Sequence, residues 1–318
     1  MLSRRQFLKS LLAGGAGLYL SSPFLKAFAE AASPPQGSGA KGGEMLKRKI
    51  PKTGEEIPAI GLGTYIRYDV ELSEAELAPR REVIRTLYQS GGRLIDTAYV
   101  YGRAEELLGR LTTELGIKDK FFIATKVWAQ GRENGVRQME SSFAKLGVSR
   151  VDLMQIHNLT DYKTQLETLK EWKVAGKIRY LGITYASPWA SGRLMEVMKR
   201  EPIDFVQQIY SIAVRDVEKD LLPLAEEKGI AVLANRNFEG GDLFARVRGK
   251  PLPEWARDFG VTSWAQFFLK YVLSHPAVTC VIPATANPPH MADNLQAGFG
   301  RLPDERDRRL MVEYFESL

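Results

Sequence analysis

A regular alternation of short β-branched or aromatic segments with longer segments of helical period most constrains the fold of this chain. Several helical segments end in a glycine just past the last turn, as helices commonly do. Eight strand–helix units within about 260 residues predict an α/β fold, a single-domain (β/α)8 TIM barrel. A doubly wound dinucleotide fold is disfavoured because no G-x-G-x-x-G follows an early strand. The predicted strands are residues 57–62, 93–96, 121–126, 151–157, 180–184, 205–209, 230–234 and 278–283, and the predicted helices are residues 73–90, 104–115, 133–146, 164–175, 190–199, 217–228 and 264–274.

A turn sequence precedes the first predicted strand. Segments 45–50 and 55–57 flank Lys52-Thr53-Gly54, which is typical of a β-hairpin. We expect this N-terminal hairpin to cap the bottom of the barrel. The chemistry is then expected at the opposite end, where the carboxyl ends of the strands meet.

The first 29 residues differ from the rest of the chain. The sequence SRRQFLK at residues 3–9 is followed by a weakly apolar stretch and by small residues at positions 27 and 29. This order resembles a twin-arginine (Tat) signal peptide, and the alternative is a short amphipathic surface helix with a chance arginine pair. The resemblance implies the Tat export machinery as a partner and a periplasmic or otherwise exported protein. Residues 30–43, rich in Ala, Gly, Ser and Pro, are expected to be a flexible linker, and residues 44–318 the barrel domain.

The leader also accounts for the charge of the chain. Lys and Arg number 44 against 38 Asp and Glu, a net charge of +6. Four of those positive charges and no acid lie in residues 1–29, so the remainder is close to neutral and gives little reason to expect a nucleic-acid partner. No apolar run is long enough to predict a stable membrane span. One cysteine and three histidines exclude an intramolecular disulfide and a Cys/His zinc site of the usual spacing, and we expect no metal.

Ionisable side chains follow three consecutive predicted strands. Asp96 ends the second strand, Tyr101 follows five residues later, and Lys126 and His157 end the third and fourth strands. Each alone could be a turn cap, a loop tyrosine, a lysine reaching the surface or a core histidine. Four polar groups at one barrel mouth, however, would be costly to desolvate unless they paired with one another. The sequence therefore predicts a candidate site here.

The motifs around these residues resemble those of the aldo-keto reductase family. They are D-T-A-x-x-Y-G at residues 96–102, T-K-x-W at 125–128 and Q-I-H at 155–157, and G-L-G-T at 61–64, Ile282-Pro283 and Asp293-Asn294 are further landmarks. The resemblance spans about residues 57–294 and implies hydride transfer between a nicotinamide cofactor and a small aldehyde, ketone or alcohol.

The resemblance also assigns roles to the candidate residues. It implies that Tyr101 is the general acid and that the Lys126 ammonium stabilises its anion, because an unperturbed tyrosine has a pKa of about 10. Asp96 would keep Lys126 charged and oriented, and His157 would hydrogen-bond the substrate oxygen. An apolar wall of the substrate pocket is expected from Tyr65, Tyr99 and Trp128.

The cofactor contacts match the family pattern less closely. Tyr185 stands where a family asparagine is expected after the fifth strand, and A-N-R-N-F at residues 234–238 lacks the usual stacking aromatic residue. After the eighth strand, an uncharged stretch ending in His290 replaces the residues that commonly bind the 2′-phosphate. The family resemblance favours NADP slightly, but this departure leaves the choice between NADP and NAD open. Arg236 either pairs with a cofactor phosphate or forms a salt bridge at the rim. The expected cofactor contacts are Thr184, Gln208, Arg236, Thr285, Asn287, His290, Asp293 and Asn294.

Three functions are compatible with these residues. The first is an exported NAD(P)-dependent oxidoreductase. Because reduced nicotinamide is not expected to be regenerated outside the cytoplasmic membrane, either its cofactor is retained and recycled by a second substrate or its natural reaction is not the family's usual one. The second is a non-catalytic nucleotide-binding barrel that serves as a binding or assembly partner, which the altered nicotinamide contacts favour. The third is a lyase or aldolase that forms a Schiff base at Lys126.

Overall fold

Eight parallel strands close into a barrel in residues 43–318, the part of the chain that the computed structural model describes. Each strand pairs with its neighbour in chain order, and parallel bridges from Ile60 to Val281 and from Gly63 to Ala284 join the last strand to the first. The predicted (β/α)8 TIM barrel is therefore confirmed. The strands are β1 (Lys47–Lys49), β2 (Glu56–Pro58), β3 (Leu62–Gly63), β4 (Leu94–Asp96), β5 (Phe122–Val127), β6 (Val151–His157), β7 (Ile178–Thr184), β8 (Phe205–Ile209), β9 (Ala231–Asn235) and β10 (Val278–Val281), of which β3 to β10 form the barrel.

Amphipathic helices connect the strands and cover the barrel with their apolar faces. Gly147 and Gly229 end two of them in the left-handed conformation, with φ of 66° and 61°, which glycine adopts without steric cost. The helices are α1 (Glu74–Gln89), α2 (Ala104–Glu114), α3 (Arg132–Leu146), α4 (Tyr162–Val174), α5 (Ser191–Arg200), α6 (Leu221–Lys228), α7 (Asp242–Arg246), α8 (Trp264–Leu273), α9 (Pro288–Gln296) and α10 (Glu305–Glu316).

Two glycines let the first barrel strand approach its neighbours closely. A Cβ on Gly61 would lie 2.7 Å from the carbonyl oxygen of Leu94, and one on Gly63 would lie 2.6 Å from that of Ile282. These separations are too short for any side chain. The G-L-G-T sequence at residues 61–64 thus has a physical reason, which is closure of the barrel between β10, β3 and β4.

The hairpin lies across the N-terminal ends of the barrel strands, as predicted. Strands β1 and β2 pair antiparallel, and Gly54 with φ of 73° forms the turn. Ile50 and Ile57 are buried together with side chains from the first residues of several barrel strands, among them Phe122 and Phe205. This apolar plug fills the bottom of the barrel, so that the polar interior lies at the other end.

Some predicted elements differ from those observed. The first predicted strand, residues 57–62, is wrong in its bounds because Ile57 pairs with Arg48 in the hairpin and the barrel strand begins only at Leu62. Helices α7, α9 and α10 were not predicted. The predicted leader and nearly all of the linker, residues 1–42, lie outside the described residues. Within residues 43–318, no helix combines the length and the apolar character that crossing a membrane requires.

Candidate active site

Asp96 and Lys126 form a buried ion pair at the carboxyl ends of β4 and β5. The Lys126 ammonium donates to Asp96 Oδ1 at 2.5 Å and to the backbone oxygen of Thr97 at 2.7 Å. Asp96 is 3% exposed and Lys126 1% exposed. Burial of an unpaired ion costs several kcal/mol, so each of these two groups requires the other. The structure thus joins the first two residues of the predicted site.

Two glutamines donate hydrogen bonds to the second oxygen of the Asp96 carboxylate. Gln207 Nε2 donates to Asp96 Oδ2 at 2.9 Å, and Gln155 Nε2 donates to it at 3.1 Å. Gly182 provides the space for Gln155, since a Cβ there would lie 3.1 Å from the Gln155 Cγ. Both carboxylate oxygens are therefore hydrogen-bonded inside the barrel. Neither glutamine was among the predicted site residues.

Tyr101 lies above this ion pair in the loop that follows β4. Its ring centroid is 5.0 Å from the Lys126 Nζ, 5.0 Å from the Tyr65 ring and 6.0 Å from the His157 ring. All four residues of the predicted catalytic set therefore meet at the barrel mouth. Tyr65, which is 38% exposed, packs against the Tyr101 ring.

The side chain of Asp69 holds the loop that carries Tyr101. The carboxylate accepts a hydrogen bond from the backbone nitrogen of Arg103 at 3.0 Å. Gly102, with φ of 64°, lies against it, and a Cβ there would overlap the carboxylate at 1.8 Å from Oδ1. The glycine of the D-T-A-x-x-Y-G motif thus makes room for the side chain that fixes the loop.

Burial sets the protonation states of the three groups that face the mouth. It raises the pKa of Tyr101 well above its ordinary value, and Asp96 and Tyr65 add to the rise. It lowers the pKa of Lys126, against which Asp96 acts to keep the ammonium charged. Burial and the nearby Lys126 lower the pKa of His157 to about 3. At neutral pH, Tyr101 is therefore a protonated phenol and His157 a neutral imidazole, which has one N–H to donate.

Trp128 and Tyr99, the other predicted pocket residues, have different surroundings. Trp128 is half-buried just past the end of β5, and its backbone nitrogen and oxygen are both bonded to the Gln138 side chain. The Tyr99 ring lies 4.5 Å from the Lys145 ammonium of α3, which gives it a packing partner outside the catalytic group.

The predicted cofactor residues of β7 and β8 point in different directions. Thr184 ends β7 inside the barrel, where its hydroxyl donates to Gln207 Oε1 at 3.3 Å. Gln208 instead donates to Ser187 O and Ser191 Oγ near the start of α5. Alternation along β8 places these adjacent glutamines on opposite faces. The side chain that faces Asp96 is thus Gln207, one residue before the predicted amide.

The loop after β9 carries a cation and an unsatisfied acceptor. Arg236 has φ of 52° and lies 3.9 Å from Glu239, so its guanidinium is only loosely paired. Asn235 Oδ1 is buried and has no hydrogen-bond partner among residues 43–318. Asn235 was not among the predicted contacts, although it ends a strand that points to the same mouth.

The last predicted cofactor contacts surround the start of α9. Asn287 caps this helix by accepting from the backbone nitrogen of His290 at 3.4 Å, and its own backbone nitrogen donates to Thr285 Oγ1 at 3.0 Å. The Asp293 carboxylate accepts from Ser263 and Gln266 of the α8 start. Asn294 is buried in α9.

The side chain of His290 is exposed at this same helix end. Partial burial still lowers its pKa, and Arg67 acts in the same direction while Asp293 opposes it. Arg67, in the loop after β3, is therefore a second basic group close to the start of α9. No sequence motif distinguishes Arg67, and its proximity to α9 could not be predicted because the first and last strands become neighbours only when the barrel closes.

Other ligand chemistries find little support in the described residues. Residues 43–318 contain no cluster of His, Cys, Asp and Glu that could hold a metal ion. Cys280 is buried within β10, and burial raises the pKa of its thiol, which makes it a poor nucleophile. The polar mouth around Tyr101 is thus the site that the fold presents.

The sequence also matches a known family over most of its length. The model of the Aldo/keto reductase family matches residues 59–310. The chain belongs to this family. It is accordingly an oxidoreductase of the aldo-keto reductase type that depends on a nicotinamide cofactor.

Individual aldo/keto reductases show the same relationship. The chain is 30% identical over 204 residues to aldo-keto reductase YhdN of Bacillus subtilis, covering 59% of this chain and 61% of YhdN, or about three fifths of that protein. It is 27% identical over 260 residues to methylglyoxal reductase YeaE of Escherichia coli, covering 79% of this chain and 89% of YeaE. A crystal structure of an aldo/keto reductase from Klebsiella pneumoniae in complex with NADP and acetate superposes with a TM-score of 0.68 at 25% identity, covering 82% and 93% of the two chains.

Proposed function

We propose that this aldo/keto reductase transfers a hydride between a nicotinamide cofactor and a small aldehyde, ketone or alcohol, with Tyr101 as the proton donor. One observation carries the proposal: the phenol of Tyr101 lies over a buried Lys126–Asp96 ion pair and beside a neutral His157. A general acid, a cation to stabilise its anion and a neutral hydrogen-bond donor are what protonation of a carbonyl oxygen requires.

Each residue has a distinct part in this step. Tyr101 gives its hydroxyl proton to the oxygen of the carbonyl group. Lys126 offsets the negative charge that remains on the phenolate, and Asp96 holds the ammonium in place. His157, uncharged at neutral pH, donates an N–H to the same substrate oxygen and fixes its direction of approach. When bound, the reduced nicotinamide supplies the hydride that the carbonyl carbon receives.

The residues at the mouth suit this cofactor. The Asn235 Oδ1, which has no partner among residues 43–318, could accept the amide N–H of the nicotinamide, and Thr184 at the end of β7 could contribute its hydroxyl. At the start of α9, a phosphate would be held by the side chains of Arg67 and His290, because Pro288 and Pro289 have no N–H and the next two backbone N–H groups are bonded to Asn287. We propose NADP rather than NAD, supported by the NADP-bound relative and by Arg67 close to His290.

The test is loss of absorbance from NADPH or NADH when the purified protein is mixed with a panel of aldehydes, ketones and quinones. Tyr101→Phe is expected to lower kcat by about 100-fold or more while nucleotide affinity stays nearly unchanged. Tyr180→Phe is the matched control, since Tyr180 is a buried tyrosine at the bottom of the barrel, bonded to Glu55 and Thr53. Full activity in Tyr101→Phe would show that the proton donor is misassigned.

The two other functions predict different results. Tight nucleotide binding without turnover across the whole panel would favour a non-catalytic nucleotide-binding barrel. Trapping of a substrate on Lys126 by borohydride would favour a Schiff-base enzyme. Geometry weighs against the latter, because the Lys126 nitrogen is bonded to both Asp96 and Thr97 and would have to lose these partners to attack a carbonyl.

We further propose that residues 1–29 direct export through the Tat machinery to the periplasm. The support lies in the sequence: the arginine pair, the apolar stretch, the small residues at 27 and 29, and a chain with a single cysteine. When the full chain is expressed in a bacterium, it is expected in the periplasmic fraction, cleaved after Ala29. Arg4→Lys with Arg5→Lys should retain it in the cytoplasm, and Lys41→Arg should not. A bound nucleotide in the exported protein would indicate that the cofactor is retained.

A further inference from the structure

We propose that Gln207 is a positioning residue that fixes the Asp96 carboxylate and, through it, the Lys126 ammonium beneath Tyr101. This inference rests on the proposed function and adds to it a residue that does not itself touch the substrate. It concerns the polar side chains inside the upper half of the barrel, to which each strand from β4 to β9 contributes one; this polar layer consists of Asp96, Lys126, Gln155, Thr184, Gln207 and Asn235.

The Asp96 carboxylate has two differently occupied oxygens. Oδ1 accepts from Lys126, and Oδ2 accepts from the two glutamines Gln207 and Gln155. All four side chains are at least nine-tenths buried, so water cannot replace a lost partner. A carboxylate can rotate about its Cβ–Cγ bond, and the amides on Oδ2 oppose that rotation. The position of Oδ1, and hence of the ammonium, therefore depends on what holds Oδ2.

Of the two glutamines, Gln207 has the better-defined orientation. Its Oε1 accepts from Thr184 Oγ1 at 3.3 Å and from Asn235 Nδ2 at 3.4 Å, while its Nε2 donates to Asp96. Rotating the amide by 180° would turn its oxygen toward the carboxylate and its nitrogen toward the Asn235 donor. Both contacts would then be repulsive. The side chain is thus held with its donor toward Asp96.

Gln155 lacks this second anchor. Its Oε1 is buried and has no hydrogen-bond partner among residues 43–318. Gln155 therefore supports Asp96 from one side only. Gln207, by contrast, connects the catalytic ion pair to Thr184 and Asn235, the two residues that we propose to face the nicotinamide.

The test compares Gln207→Met, which keeps the length but removes the donor and acceptor, with a control at another buried barrel position. Thr279→Val is suitable because Thr279 is a buried residue of β10. Its hydroxyl accepts a hydrogen bond from the backbone nitrogen of Val232, away from Asp96. Lys126 is followed by NMR in full-length protein labelled with 15N at the lysine Nζ. Its signal is assigned as the one missing from Lys126→Met.

In Gln207→Met, we expect the titration midpoint of Lys126 to fall by about half a pH unit or more, because a less firmly held Asp96 opposes the effect of burial less well. The midpoint should not change in Thr279→Val. In NADPH-dependent turnover, kcat should fall about tenfold with KM unchanged within about twofold. In a protein that already carries Asp96→Asn, adding Gln207→Met should lower kcat little further, because both changes act on one carboxylate.

An unchanged Lys126 midpoint in Gln207→Met would overturn the inference, whatever the activity. If the midpoint shifts but the wild-type protein turns over no substrate, the proposed function fails and the positioning role of Gln207 stands. Should Gln207→Met fail to fold, Gln207→Asn keeps an amide that is one methylene too short to reach Asp96 and allows the same measurements.

Discussion

The Lys126 ammonium lies 5.0 Å from the centroid of the Tyr101 ring, within the polar layer that closes the upper half of the barrel. The same burial moves the pKa values of the two groups in opposite directions, raising that of Tyr101 and lowering that of Lys126. As pH increases, Lys126 therefore loses its proton before Tyr101 does. In the proposed mechanism, the two groups act as one unit in which the Lys126 cation supports the Tyr101 acid.

The rate of carbonyl reduction should accordingly fall on the alkaline side as Lys126 loses its charge. It should show no inflection near pH 6.5, because the pKa of His157 is about 3 and the imidazole is neutral throughout the physiological range. The measurement is kcat against pH between 5 and 10 with saturating NADPH. An inflection near 6.5 that disappears in His157→Gln would contradict a neutral histidine.

Removing one member of the buried ion pair should destabilise the fold more than removing both charges. Lys126→Met leaves the Asp96 carboxylate uncompensated at 3% exposure, which is expected to cost about 3–5 kcal/mol of unfolding free energy. The double variant with Asp96→Asn has no buried charge and should recover part of that loss. Urea unfolding of the wild type, both single variants and the double variant measures this. A double variant less stable than Lys126→Met would mean that the pair is not coupled.

Much of the barrel could be predicted from the sequence because its strands and helices have strong local patterns. Helix ends were located by glycines such as Gly147 and Gly229, whose left-handed φ values the structure records. The bounds of the first strand could not be predicted, since residues 57–62 read as one β segment and only pairing with β1 separates the hairpin from the barrel. Helix α10 could not be predicted either, because which of its faces is buried depends on the part of the barrel against which it packs.

The candidate site was predictable where residues are adjacent to strand ends, and less so where they act from inside the barrel. Asp96, Tyr101, Lys126 and His157 carry recognisable motifs. Gln207 does not, and the adjacent Gln208 was chosen because it matched a family position. Strand alternation relative to Thr184, with which Gln207 is paired in register, would have identified the inward-facing residue.

Lys270 should make the stability of the protein depend on pH in the alkaline range. This lysine is buried in α8 and donates to the backbone oxygens of Phe299 and Arg301. Burial, with Arg301 adding, lowers its pKa to about 8 from an ordinary value of about 10.4. Between these values, the unfolded chain binds more protons than the folded one. The free energy of unfolding should therefore rise as pH increases above about 8.

The measurement for Lys270 is the urea midpoint at pH 7.5 and at pH 9.0, where few tyrosines of the unfolded chain are ionised because their pKa is about 10. The Lys270 contribution to the rise should be absent from Lys270→Met and retained in Lys163→Met, a substitution at an exposed position of α4. An equal rise in wild type and Lys270→Met would assign the pH dependence to other groups.

His290→Arg should increase the preference for NADPH over NADH. His290 lies near the start of α9, and burial keeps its pKa below the ordinary value, so that it contributes no full positive charge at neutral pH. Arginine remains charged and can bond a phosphate with two N–H groups. Since Arg67 already lies near this position, we expect the ratio of the NADH and NADPH dissociation constants to rise by about tenfold. Fluorescence titration of the two cofactors gives this ratio.

Because the added interaction is between charges, its size should diminish as salt increases. His290→Gln is the matched control: it removes a neutral imidazole, and the cofactor ratio at pH 7.5 should stay close to that of the wild type. At pH 5.5, a larger fraction of His290 is protonated, so the wild type should bind NADPH relatively more tightly than His290→Gln does. An unchanged ratio in His290→Arg would mean that the 2′-phosphate does not bind at the start of α9.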